Sequence, residues 1–280
     1  MKVIFVDLYQ WFRVEKPQGA SGTLQCWIQD SDRDLHPNRK RPGVLIVPGG
    51  GYNHVSLREG EPVAMEFLKA GYCTFILAYS VDTVRFPVAL REAAMAMRYI
   101  REQSGEFGMD PHMVAAIGFS AGGHLCGTLG TMFDCPEVAD IGPAEQLRPD
   151  ALSLCYPVAV SWGNTHEGSF RYLCGENQEL RNRLSLDRLA RADMPPVFLW
   201  HTRDDDKVPV RNSLILAQTL DTLGVEFALH IYRKGCHGLS TANSQVYPAH
   251  EIPEHSGDVE GWIPENIAFF EEIGIKCHDI

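Results

Sequence analysis

The chain has 280 residues, 45% of them hydrophobic and 22% charged, with a formal net charge of −11 and no internal repeat. That length can bury a large core without staples. The acidic balance argues against a nucleic-acid backbone or an anionic membrane as the main partner, because both attract basic patches.

In chain order, Met1–Val6 is apolar apart from Lys2, and Asp7 interrupts it too early for a signal-peptide core. No stretch approaches the ~18 apolar residues that would span a bilayer. Leu24, Cys26 and Ile28 alternate with polar neighbours, which suits antiparallel edge strands. Residues 31–42 are polar and basic and read as a surface loop. Gly43–Val47 is a short continuous apolar run, as in a parallel strand buried on both faces, and it ends at Pro48-Gly49-Gly50-Gly51. Val63, Ala64, Phe67 and Leu68 predict a helix over Glu61–Ala70, closed by Gly71. Cys73–Tyr79 reads as a strand, Pro87–Gln103 as a helix opened by its proline, and Val114–Ile117 as a third strand. A helix rich in Ala, Gly and Leu follows from Ala121. Ala151–Cys155, Val197–His201 and Phe227–Tyr232 are strand-like, with helices over Val210–Leu223 and Ile263–Ile273. Such alternation predicts one α/β domain over 1–280, a mainly parallel sheet with helices on both faces. The polar stretch Trp162–Asp193 is expected to be either a cap over residues 163–192 or a plain surface excursion.

The eight cysteines form no CxxC pair, and several sit inside apolar runs. They read as buried free thiols in a reducing, cytoplasmic setting. Cys236, beside a histidine, has no matching set of zinc ligands around it, so no metal is expected.

Gly118-Phe119-Ser120-Ala121-Gly122 carries the strongest chemical signal. A GxSxG string between an apolar strand and a helix is the setting of a nucleophile elbow, which projects a serine Oγ above the sheet. Acyl transfer also needs preorganised N–H donors for an oxyanion. The glycine run after the first central strand and the residue after the nucleophile supply candidates: Gly50, Gly51 and Ala121. A phosphate-cradling loop is the rival reading of the glycine run, but no Lys-Ser/Thr follows it. In this chain order the acid precedes the histidine. Asp204, Asp205 and Asp206 offer the acid. His237, in a turn just after a strand, is favoured as the base over His250 and His255. Tyr52, Tyr79, Phe86, Tyr156 and Trp162 lie near strand ends, where aromatic rings can stack on a sugar or fill the core. Tyr52, Tyr79 and Tyr156 are the substrate-binding candidates.

Together PGGGY (Pro48–Tyr52), REGEPVA (Arg58–Ala64), GFSAGGH (Gly118–His124), CYPV (Cys155–Val158), DDxxVP (Asp204–Pro209) and GCHG (Gly235–Gly238) resemble the esterase/lipase branch of the α/β-hydrolase superfamily. The likeness covers roughly residues 41–275 and is greatest to bacterial acetyl xylan esterase-like and short-chain carboxylesterase proteins. Pro48 stands where an HGGG-type loop has histidine, a departure that backbone donors tolerate. The resemblance implies Asp205, the second Asp of DDxxVP, as the acid. It also implies a Ser120–His237–Asp205 serine esterase without a cofactor. The partner it implies is a small ester, an acetylated sugar or xylo-oligosaccharide, and a homo-oligomer is compatible with it. Alternatives are a general aryl or short-acyl carboxylesterase, a prolyl-oligopeptidase-type peptidase, against which the lack of a propeller domain counts, and an inactive ligand-binding protein on the same fold.

Overall fold

The computed structural model describes residues 1–30, 38–247 and 256–279. The chain opens with β1 (Lys2–Asp7), the short α1 (Leu8–Phe12), β2 (Thr23–Ile28) and β3 (Arg39–Val47). A 3-10 turn over Leu57–Glu59 leads into α2 (Glu61–Lys69), β4 (Cys73–Ala78), α3 (Val88–Glu102), β5 (Met109–Phe119) and α4 (Ala121–Met132). Next come α5 (Ala144–Leu147), β6 (Ala151–Cys155), and three short helices, α6 (Glu167–Cys174), α7 (Gln178–Arg183) and α8 (Leu186–Leu189). The last part holds β7 (Val197–Thr202), α9 (Arg211–Leu223), β8 (Phe227–Tyr232), α10 (Ser256–Glu260), α11 (Trp262–Glu272) and β9 (His278–Asp279).

The main sheet runs β1-β2-β4-β3-β5-β6-β7-β8. β1 and β2, and β2 and β4, are antiparallel, while the strands from β4 to β8 pair in parallel. This is the architecture that alternating apolar strands and amphipathic helices predict, with antiparallel strands at one edge. The central strands read as unbroken apolar runs because both of their faces are covered. One apolar cluster joins Leu45, Val47, Ala116 and Leu154 to α3 and α4. The other joins Val44, Ile46, Ile117 and Phe119 to α2 and α11. Cys26, Cys73, Cys126, Cys155 and Cys174 are buried free thiols, whereas Cys236 is exposed.

One expectation changes. The basic stretch 31–42 is not all loop. From Arg39 the chain is already strand, because Arg39 and Lys40 pair with β9 and Arg41 with Met109 of β5. Arg41 is buried and donates through Nη1 to Gly71 O at 3.2 Å, so its charge lies against backbone carbonyl rather than water. Residues 31–37 of that expected loop lie outside the described residues. The polar stretch after β6 folds into the short α6, α7 and α8, the first two capped by side chains. His166 accepts from Ser169 N–H at the start of α6, and Asn177 accepts from Leu180 N–H at the start of α7.

Parallel α/β sheets gather ligand sites at the carboxyl ends of their strands. The PGGG loop follows β3, Ser120 follows β5, the aspartate run follows β7 and His237 follows β8. All four segments therefore meet at one edge of the sheet.

Candidate active site

Ser120 is the pivot between β5 and α4, with φ 53° and ψ −116°. Positive φ is rare for a residue with a Cβ, and it is tolerated where surrounding structure over-determines it. Glycines make the pivot possible by close approach. A Cβ on Gly122 would lie 2.1 Å from Val47 O, and one on Gly118 would lie 2.2 Å from Gly122 O. The start of α4 thus presses directly on the backbone of β3 and β5, and Ser120 is held with its Oγ pointing at the cavity.

His237 closes a relay. Its Nε2 is 2.8 Å from Ser120 Oγ and its Nδ1 is 2.7 Å from Asp205 Oδ2. The carboxylate can only accept, so Nδ1 carries the proton and Nε2 accepts from the serine hydroxyl. Asp205 is itself fixed: Oδ1 accepts from the Lys207 and Val208 amides, both at 2.9 Å. His201 Nε2, 3.3 Å from Oδ2, lies on its other side. Burial alone would raise the Asp205 pKa. The hydrogen bonds from His201 and His237, the His237 charge and the Val208 amide outweigh it and hold the carboxyl well below the usual range.

The two neighbouring aspartates do other work. Asp204 accepts from Gly235 N–H at 2.8 Å and pairs with Lys234 at 3.1 Å, bracing the loop that carries His237. Asp206 is exposed and pairs with Lys207 at 3.4 Å. Of the rival histidines, His250 and His255 lie outside the described residues.

A cavity of about 420 Å³ opens above Ser120, walled by Gly50, Gly51, His166, Tyr172 and His237. Gly50 and Gly51 have φ 120° and 65°. Ala121 is the first residue of α4, where an N–H has no partner within the helix. The three oxyanion candidates are therefore grouped around the serine.

The three tyrosines expected at the substrate are instead in the layer beneath the cavity and do not line it. They are large rings at strand ends, and the core claims their apolar area while each hydroxyl finds a partner. Tyr52 donates to His124 Nδ1 at 2.8 Å, and His124 Nε2 donates to Leu184 O at 2.7 Å. Tyr79 donates to Pro48 O at 2.9 Å, at the entry to the glycine loop. Tyr156 donates to Glu59 at 2.7 Å.

His166 was not legible as a site residue. Its Nδ1 is bound by Ser169, at 2.8 Å from Oγ and 3.3 Å from N, and its ring edge packs beside Gly51. With Nδ1 accepting, Nε2–H is left for the cavity. Burial first, then the nearby His237, lowers the His166 pKa, which favours the neutral ring. The only cue in the sequence is its place in the polar stretch after β6. Among the described residues, no group of three or more His, Cys, Asp or Glu could hold a metal, and no helix is long and apolar enough to cross a membrane.

A mainly parallel sheet of this order, with a serine on a strained strand-to-helix turn, defines an α/β hydrolase. The chain belongs to the prolyl oligopeptidase family, whose model matches residues 89–254, and the BD-FAE family model matches residues 34–141. It is 37% identical over 228 residues to endo-1,4-beta-xylanase B of Butyrivibrio fibrisolvens, covering 78% of this chain and 35% of that protein. It is 28% identical over 212 residues to the acetylxylan esterase of Xylanibacter ruminicola, covering 73% and 42%. The chain thus spans well under half the length of these curated relatives. It is also similar to a crystal structure of an acetyl ester-xyloside bifunctional hydrolase from Caldicellulosiruptor lactoaceticus, with 38% identity, TM-score 0.78 and 91% and 89% of the two chains covered.

Proposed function

We propose that this chain is a serine esterase that releases short acyl groups, acetyl above all, from the hydroxyls of sugars or xylo-oligosaccharides. One observation carries the chemistry: the continuous relay Ser120 Oγ–His237 Nε2, His237 Nδ1–Asp205 Oδ2, at 2.8 and 2.7 Å, beneath an open cavity. Ser120 Oγ attacks the ester carbonyl while His237 takes its proton. The carbonyl oxygen becomes an oxyanion facing the amides of Gly50, Gly51 and Ala121. Collapse of the tetrahedral intermediate breaks the bond to the alcohol, which leaves with the proton from His237. Water then attacks the acyl-enzyme, His237 again relays its proton, and the carboxylic acid leaves with Ser120 restored. Asp205 holds the imidazole in its tautomer and stabilises its charged form.

The acetylated-sugar substrate draws on the names of the relatives, an acetylxylan esterase and an acetyl ester-xyloside hydrolase. The cavity is consistent with a polar alcohol, since Asn53, His166 and Lys207 line it beside Tyr172. Residues 163–192 belong to this reading as a small cap, because His166, Gly168 and Tyr172 reach the cavity wall from α6 and the turn before it. A peptidase reading draws on the family name, and a proline-containing anilide run beside the esters separates the two.

The test is hydrolysis of p-nitrophenyl esters from acetate to octanoate, beside acetate release from acetylated xylo-oligosaccharides. Acetate preference with comparable release from the sugar supports the proposal. Aryl-ester turnover without release from sugar discards the carbohydrate substrate. Retention of turnover by Ser120→Ala discards the mechanism.

A further inference from the structure

Glu59 takes no part in the steps above, yet it is a carboxylate 3% exposed at the wall of the cavity. Burying such a group is costly unless hydrogen bonds compensate. Its two oxygens divide between different segments of the site. Oε2 accepts from Gly49 N–H at 2.8 Å, at the root of the glycine loop. Oε1 accepts from the Tyr156 hydroxyl at 2.7 Å. That same phenol oxygen accepts from Ser240 N–H at 3.0 Å, three residues beyond His237. The Tyr156 ring stands edge-on to the His237 imidazole, with centroids 5.0 Å apart and planes at 71°. Ser240 Oγ closes the circuit by donating to Arg58 O, and Trp262 Nε1 donates to Ser240 O at 2.9 Å.

The oxyanion loop follows β3 and the histidine loop follows β8, on opposite sides of β5 in the sheet. Acyl transfer needs the oxyanion donors and the base in register to a few tenths of an ångström. We propose that Glu59 is a positioning residue that ties these two loops together through Gly49 and Tyr156. Gly49 and Tyr156 are both donors, so only a group that accepts at both ends fits between them. A carboxylate does so, and a primary amide does not. The inference rests on the serine esterase reading, and its test is arranged so that the two can fail separately.

Glu59→Gln and Tyr156→Phe are compared with the full wild-type chain on p-nitrophenyl acetate at neutral pH. Rates are divided by the fraction of Ser120 that a fluorophosphonate labels, so misfolded protein does not count. Glu59→Gln is expected to lower kcat per labelled site by about 10- to 100-fold, with KM changed by less than about threefold. Tyr156→Phe breaks the same link at its other end, so kcat falls there too while KM changes little. Wild-type kcat per labelled site in either variant, or a loss carried by KM instead of kcat, would overturn the positioning role. If Glu59→Gln does not fold, Tyr156→Phe decides the positioning. A wild-type chain that neither labels nor hydrolyses any ester would refute the esterase reading itself, and the inference with it.

Discussion

Asp205→Asn tests the relay at the group that fixes its tautomer. Asp205 Oδ1 accepts from two backbone amides, Lys207 and Val208, while Oδ2 faces His237 Nδ1. Asparagine keeps the shape but has one acceptor. Its oxygen must stay with the two amides, because turning the NH2 toward them would set donor against donor twice and strand buried groups at a cost of about 1–3 kcal/mol each. The NH2 then faces His237, whose Nδ1 has to become an acceptor. The ring answers by carrying its proton on Nε2, and Nε2 can no longer accept from Ser120. The general base is lost with the fold intact. The expected loss is about 10⁴-fold in kcat at neutral pH, or about 5.5 kcal/mol of transition-state stabilisation. The denaturation midpoint should move little, since the amide ladder at Oδ1 survives. Kinetics on p-nitrophenyl acetate read the first effect and urea melts the second. Asp206→Asn, at an exposed pair, should stay within about threefold of wild type. Asp205→Asn within tenfold of wild type, or Asp206→Asn as damaging, would refute the assignment of the acid.

Three further outcomes follow from the geometry. His124 is buried and its pKa is lowered by desolvation from 6.5 to about 4, against a smaller opposing effect of the Leu184 carbonyl. The unfolded chain therefore binds that proton first: the stability His124 contributes is present above pH 6.5, is lost as pH falls toward 4, and amounts to about 3 kcal/mol. Urea titrations of wild type and His124→Gln between pH 4 and 7 should differ in slope, and identical slopes would contradict this. His166→Ala should lower kcat/KM on an acetylated xylo-oligosaccharide by about tenfold and leave p-nitrophenyl acetate nearly unchanged; equal losses on both would assign the ring to the common chemistry instead of the alcohol. Gly122→Ala gains about 1 kcal/mol in helix propensity, but its Cβ meets Val47 O at 2.1 Å and Pro48 O at 2.4 Å. The clash with fixed backbone outweighs the gain, and a net loss of at least about 2 kcal/mol is expected in the urea midpoint.

The sheet was readable because its central strands are continuous apolar runs, and those runs exist only because both faces are covered. Ser120 was readable for a related reason: an elbow needs glycines on both sides, and Gly118 and Gly122 are required by backbone contacts that any side chain would violate. Where a residue's job is set by its own local chain, the sequence carries the signal. The choice among Asp204, Asp205 and Asp206 is harder, since all three are loop carboxylates and only resemblance separated them. The structure separates them by what each faces: Gly235 N–H, His237, or Lys207 in water. Tyr52, Tyr79 and Tyr156 were placed at the right end of the sheet but on the wrong layer, because strand-end position fixes height above the sheet and says nothing about whether a ring points up to the cavity or down to the core.

Glu59 and His166 mark the limit of local reading. Glu59 sits in the REGEPVA run and His166 three residues before Ser169, which it caps, but neither fact shows what the side chain faces. Glu59 is intelligible only when β3, β6 and β8 have brought Gly49, Tyr156 and Ser240 around it, and His166 only when α6 has set it beside Gly51. Tyr156, Ser240 and Gly51 are distant in the chain from the residue each serves, and although several of these residues sit in recognisable motifs, no motif states which of them meet. The nucleophile, acid and base are therefore the legible part of such a site. The residues that set their distances from one another are the part that three-dimensional packing must supply, and they are where variants with an unaltered triad should still lose rate.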